Sequence, residues 1–205
     1  MAKKKEAAVP LKALAPRLPS EMKELKGKGF KRNLSGAKTF ITDGHTLVLR
    51  EFASPEFLKG VKGDGTRPPI GVVAITSLWD KVAGRSHAAV QFIGCGKTTK
   101  VETSDDLERS KNVVEVVLAC LTDAKGRIIL VDPWKLAWAV RATKADTLRA
   151  DSGPRYNAEA IAICRGTTMV GMVMPMGYYA SDLKEWDLKA EPISLDKAFA
   201  EKPIK

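Results

Sequence analysis

Residues Phe92-Ile93-Gly94-Cys95-Gly96-Lys97-Thr98-Thr99 place a Gly-Lys-Thr triplet just after a second glycine. The backbone N–H groups of such a loop can cradle a phosphate while the lysine neutralises it. A complete phosphate loop needs one more glycine, where Gln91 stands, and a helix opening behind the loop. Residues after Lys97 alternate like a strand. A tight hairpin at Gly94-Cys95-Gly96 is therefore the expectation. Clustered carboxylates could hold a nuclease metal pair. Asp123 and Asp132 flank one apolar run, and Asp105-Asp106 lie in a polar connection. Asp132, directly before Pro133, reads as a helix cap, and Asp123 as a turn residue. His45 and His87 are far apart, and Cys95, Cys120 and Cys164 lack the CxxC spacing of a metal or redox site. They read as reduced core thiols. The expectation is a non-enzymatic chain with no cofactor and no metal.

The chemistry best supplied is positive charge. The formal net charge is +10. Residues 1–38 hold 11 of the 34 basic and 3 of the 24 acidic residues, so the rest is close to neutral. Such an arm releases counterions from nucleic-acid phosphates whatever their sequence. Its candidate contacts are Lys3, Lys4, Lys5, Lys26, Lys28, Lys31 and Arg32. A solubilising tail is the competing account of the same charge. Phe30 could stack on a base or anchor on the protein's own surface.

The positioning elements follow from punctuation and periodicity. Residues 1–38 read as a basic flexible arm, broken by Pro10, Pro16 and Pro19, with Gly27–Arg32 as a linker. Residues 39–178 read as one α+β domain, and 179–205 as an appendage whose Trp186, Leu188, Ile193, Leu195 and Phe199 dock on the body. A hairpin over 39–52 turns at Asp43-Gly44. Ser54-Pro55-Glu56 opens a short helix. Two units, 70–122 and 126–178, read in the same order, β-α-β-β-β. In the first, strand 71–75 leads to helix 77–83, then strands 88–93, 97–103 and 112–121. In the second, strand 128–131 leads to Asp132-Pro133 and a helix, then strands near 147–150, 158–165 and 167–174. The 44% apolar content supports a sizeable core. No run long enough to span a membrane is present. The first twenty residues lack the continuous apolar stretch of a secretory signal, so a cytoplasmic location is expected, in a host cell if the protein is viral.

Two tandem β-α-β-β-β units forming antiparallel sheets, with the helices packed on one face, make one domain of a DNA sliding clamp. Residues 126–176 resemble the C-terminal half-domain of the bacterial clamp, where a strand, a helix and three strands end on a motif similar to Gly171-Met172-Val173-Met174-Pro175-Met176. The resemblance implies a processivity factor without chemistry of its own. Its helices meet the DNA backbone through cations, here Lys81, Lys135, Arg141 and Lys144, the last three sharing part of one face. It also implies a polymerase or other replication protein as partner, and a homo-oligomer. The chain departs from that family in having room for one such domain and in carrying the arm. The function expected is binding of DNA, or of RNA, through the phosphate backbone. The alternative is a virion or ribonucleoprotein assembly component whose basic arm threads into a larger body.

Overall fold

A computed structural model describes residues 30–34, 38–42, 45–55, 79, 81–84, 87–102, 112–151, 160–176 and 190–199. The strands are β1 (Phe30–Leu34), β2 (Lys38–Thr42), β3 (Thr46–Leu49), β4 (His87–Glu102), β5 (Asn112–Asp123), β6 (Ile128–Val131), β7 (Thr147–Asp151), β8 (Ile161–Arg165) and β9 (Thr168–Val173). The helices are α1 (Pro133–Thr143) and α2 (Leu195–Ala198). All nine strands join one sheet in the order β1-β2-β3-β9-β8-β7-β4-β5-β6, and every pairing is antiparallel. Among the described residues the fold is an antiparallel sheet with few helices.

The second expected unit forms as read: β6-α1-β7-β8-β9. Asp132 caps α1, its carboxylate accepting from Trp134 N at 2.8 Å and Lys135 N at 3.2 Å. Pro133 then fills the first turn, where its missing N–H has no partner to lose. Lys144 ends the helix in the left-handed conformation, φ 52°, and its N–H donates to the Val140 carbonyl. Glycine is the usual occupant there, and a side chain costs about 1 kcal/mol.

The first unit differs. β4 runs unbroken through Gly94, Cys95 and Gly96, so two long strands follow where three were expected. The register shifts between Phe92 and Gly94, and Gly94 takes φ 138°. A bulge thus absorbs the glycines that read as a turn. The strand expected over 71–75 lies outside the described residues. The 39–52 hairpin forms, but β2 ends at Thr42 and β3 begins at Thr46, so three residues connect its strands instead of two. Phe30–Leu34, read as arm and linker, form strand β1 at the end of the sheet. The helix expected from Ser54 begins at Pro55, and its remainder lies outside the described residues.

Side chains on successive strand positions alternate faces, and the core divides accordingly. Ile41, Val48, Val90, Phe92, Leu121, Leu148, Ile163 and Val173 face α1 and pack on Leu136, Ala137, Trp138 and Val140. Phe40, Leu47, Leu49, Ala162, Cys164 and Met172 face the other way and pack on Trp79 and Val82, residues of a second helical stretch. The expectation of helices on one face is therefore corrected: α1 and the stretch bearing Trp79 lie on opposite faces. Ile93, Leu118, Cys120 and Leu130 form a third buried cluster.

The chain leaving β9 changes neighbours. Met174 N donates to His45 O at 2.8 Å, beside β3, and Met176 N donates to Leu130 O at 2.8 Å in β6. Val131 and Pro175 form an antiparallel bridge. This curls the sheet so that β6, last in the order, meets the continuation of β9. The tail then returns: Ile193 N donates to Phe92 O at 2.8 Å, and Phe199 packs on Phe92 with ring centroids 5.1 Å apart. Leu195, Ala198 and Phe199 are buried, so residues 190–199 dock on the body, as their apolar content predicts.

Candidate nucleic-acid interface

Lys3, Lys4, Lys5, Lys26 and Lys28 lie outside the described residues. Lys31 and Arg32 belong to β1, with Cα partners Ile41 and Phe40. Lys81 is exposed on the helical stretch of the second face, remote in kind from α1.

α1 is buried on most of its circumference, including Leu136, Ala137, Trp138, Ala139, Val140, Ala142 and Thr143. Its three alanines let the sheet approach closely from several directions. Lys135 and Lys144 are separated by nine positions, roughly 180° around the axis at about 100° per residue. They do not share a face, contrary to the expectation. Only Arg141 and Lys144, three positions apart, are neighbours. Lys135 and Arg141 are half-buried, and Lys144 is exposed. The Arg141 Nε donates to the Phe199 carbonyl at 2.5 Å. That cation therefore holds the returning tail.

Around these two residues the surface opens into a groove of about 950 Å³. Its walls are the end of α1, the start of β7, the first part of β4 and the returning tail; Ser54, Gln91 and Arg149 contribute polar side chains. Arg149 pairs with Ala162 and Ala89 across the sheet, on the face away from Leu148, and is among the residues that line the groove. Sequence reading missed this residue. The Thr-Leu-Arg-Ala-Asp alternation of β7 was a sufficient signal that Arg149 faces outward, but not that the tail would stand beside it.

The groove's carboxylates are engaged. Asp146 accepts from Gly166 N at 3.0 and 3.2 Å and from the Thr147 hydroxyl at 3.1 Å. The Ser194 hydroxyl, with the backbone N–H of Lys197, holds the Asp196 carboxyl below its ordinary range. The last carbonyls of α1 are also met: Val140 O by Ala145 N at 3.1 Å, Ala142 O by Ser54 N at 2.8 Å and Ala139 O by the Thr143 hydroxyl at 2.8 Å.

The other chemical candidates have structural occupations. Gly94, Cys95 and Gly96 are buried inside β4 and present no phosphate cradle. Asp123 closes the β5–β6 turn, accepting from Lys125 N and Arg127 N at 2.9 Å each and from Arg127 Nε at 3.1 Å. Gly126 takes φ 74° in that turn. Asp123 and Asp132 stand beyond opposite ends of β6. Among the described residues no group of three His, Cys, Asp or Glu is placed to hold a metal ion. Burial pushes the Cys95 and Cys120 thiols up to about 12 and raises Cys164, so none is a ready nucleophile. No described helix is long and apolar enough to cross a membrane.

Comparison with family models, curated proteins and solved structures finds no match to this chain.

Proposed function

We propose that this protein is a non-enzymatic nucleic-acid-binding protein that holds the phosphate backbone, with DNA as the first ligand to test and RNA as the second. The observation that carries the reading is the placement of charge. Residues 1–38 contain 11 of the 34 basic residues, beside a body that is close to neutral. A cationic leader beside a stable body suits attachment to a polyanion without base reading. The proposal keeps the phosphate contacts that the clamp resemblance implies. It drops a ring lining built from paired helices, because α1 and the Trp79 stretch pack on opposite faces. A role beside a polymerase belongs to the same proposal and rests on that resemblance alone.

The test is titration of labelled DNA and RNA at several salt concentrations, using the full chain. Each phosphate contact contributes a slope of about −0.9 for duplex DNA or −0.7 for a single strand in log affinity against log salt. Replacing Lys3, Lys4, Lys5, Lys26 and Lys28 with glutamine should flatten that slope by several units and weaken binding by an order of magnitude or more. The arm is neutralised and not cut at residue 38, since such a cut would remove β1 and open β2. Absence of affinity for either nucleic acid at low salt removes the proposal.

An assembly role has one observation in its favour. β1 ends the sheet order and has a single strand neighbour, β2, among the described strands. Such an edge can take another chain's strand. Large homo-oligomers formed without nucleic acid, measured by light scattering, would favour that reading.

A further inference from the structure

We infer that the groove at the end of α1 seats phosphates of a nucleic-acid strand, with Lys144 as the anchoring cation and Arg149 as the second. The inference rests on the nucleic-acid reading and gives it a site on the folded body.

Three independent features converge on Lys144. It is the only non-glycine residue with positive φ among the described residues. A lysine in a conformation that glycine fits better is a backbone outlier, which motivates a functional test of its ammonium. It is exposed and lines the groove of about 950 Å³. Neither it nor Arg149 has an ion-pair partner among the described residues. Hydrogen bonds from Gly166 N and Thr147 to Asp146, and from Ser194 to Asp196, fix the groove's own acids without removing their charge, and three cations, Arg141, Lys144 and Arg149, line the groove against those two carboxylates. The end of a helix is electronegative, which by itself disfavours an anion. Here the backbone N–H groups of Lys144 and Ala145 occupy the Val140 carbonyl, and that of Ser54 the Ala142 carbonyl. The cationic excess among the groove's described lining residues then stands against what remains. Arg149 faces away from Leu148 on β7 and lines the same groove as Lys144, so the two cations suit separate phosphates of a strand better than one compact ion.

The experiment compares Lys144→Gly, Arg149→Gln and the double variant with the wild type in the full chain. The readouts are anisotropy of labelled oligothymidylate at several salt concentrations and the thermal midpoint. Two lost contacts should flatten the single-strand salt slope by roughly 1.4. The midpoint of Lys144→Gly should hold or rise, because glycine suits its backbone. A merely structural lysine would leave the slope unchanged, and that result overturns the inference. A slope that responds to the neutralised arm but not to the groove variants overturns the groove and leaves the nucleic-acid reading standing. No binding by the wild type overturns both. Displacement of the oligonucleotide by equimolar thymidine monophosphate overturns the strand as ligand in favour of a free nucleotide.

Discussion

Asp123 shows how one carboxylate can be mistaken for chemistry. Partial burial pushes its pKa up, but the backbone N–H groups of Arg127 and Lys125, with the Arg127 guanidinium, outweigh that and hold it below the usual carboxylate range. A group with a depressed folded pKa stabilises the fold above its unfolded value, near 3.9, and loses that contribution as pH falls through the folded value. Asp123→Asn should therefore destabilise at neutral pH and flatten the acid limb below about pH 4. Urea midpoints measured across that range test this, and an unchanged acid limb contradicts it. Both the turn role of Asp123 and the cap role of Asp132 were legible in the sequence. Each is decided by residues within four positions, where backbone N–H groups are already in reach. Arg149 was not legible as a groove residue, because what stands beside it comes from the tail.

At the scale of elements, the seam between β3 and β9 joins the first hairpin to the second unit. Gly171 sits there opposite Val48, and a Cβ at Gly171 would meet the Leu47 carbonyl at 2.7 Å. Gly171→Ala should cost about 1–3 kcal/mol, since backbone and not a flexible side chain must yield. Chemical denaturation measures it; a cost below half a kcal/mol would mean that the strands separate freely at this point. The element order β-α-β-β-β of residues 126–176 was readable because each strand and helix carries its own period and stop signals. The continuity of β4 was not. Gly94-Cys95-Gly96 has the composition of a turn, and only pairing with β5 on a shifted register makes it a bulge.

For the whole molecule, the cluster around α1 draws residues from β2 to β9 and from α2. Such a shared core predicts one cooperative transition. Tryptophan fluorescence and far-ultraviolet circular dichroism should give coincident unfolding curves in urea, whereas two separated midpoints would divide the body into independent units. The amino-acid sequence alone determined the local facts: the cationic leader, the capped helix, the three apolar strands after it and the buried thiols. These depend on composition and on contacts a few residues long. Only the tertiary structure decided that the two helical stretches take opposite faces, that β6 meets the continuation of β9, and that the tail stands beside Lys144 and Arg149. The reason is that apolar periodicity states how much surface a segment must bury, while the face it is buried against depends on partners far along the chain.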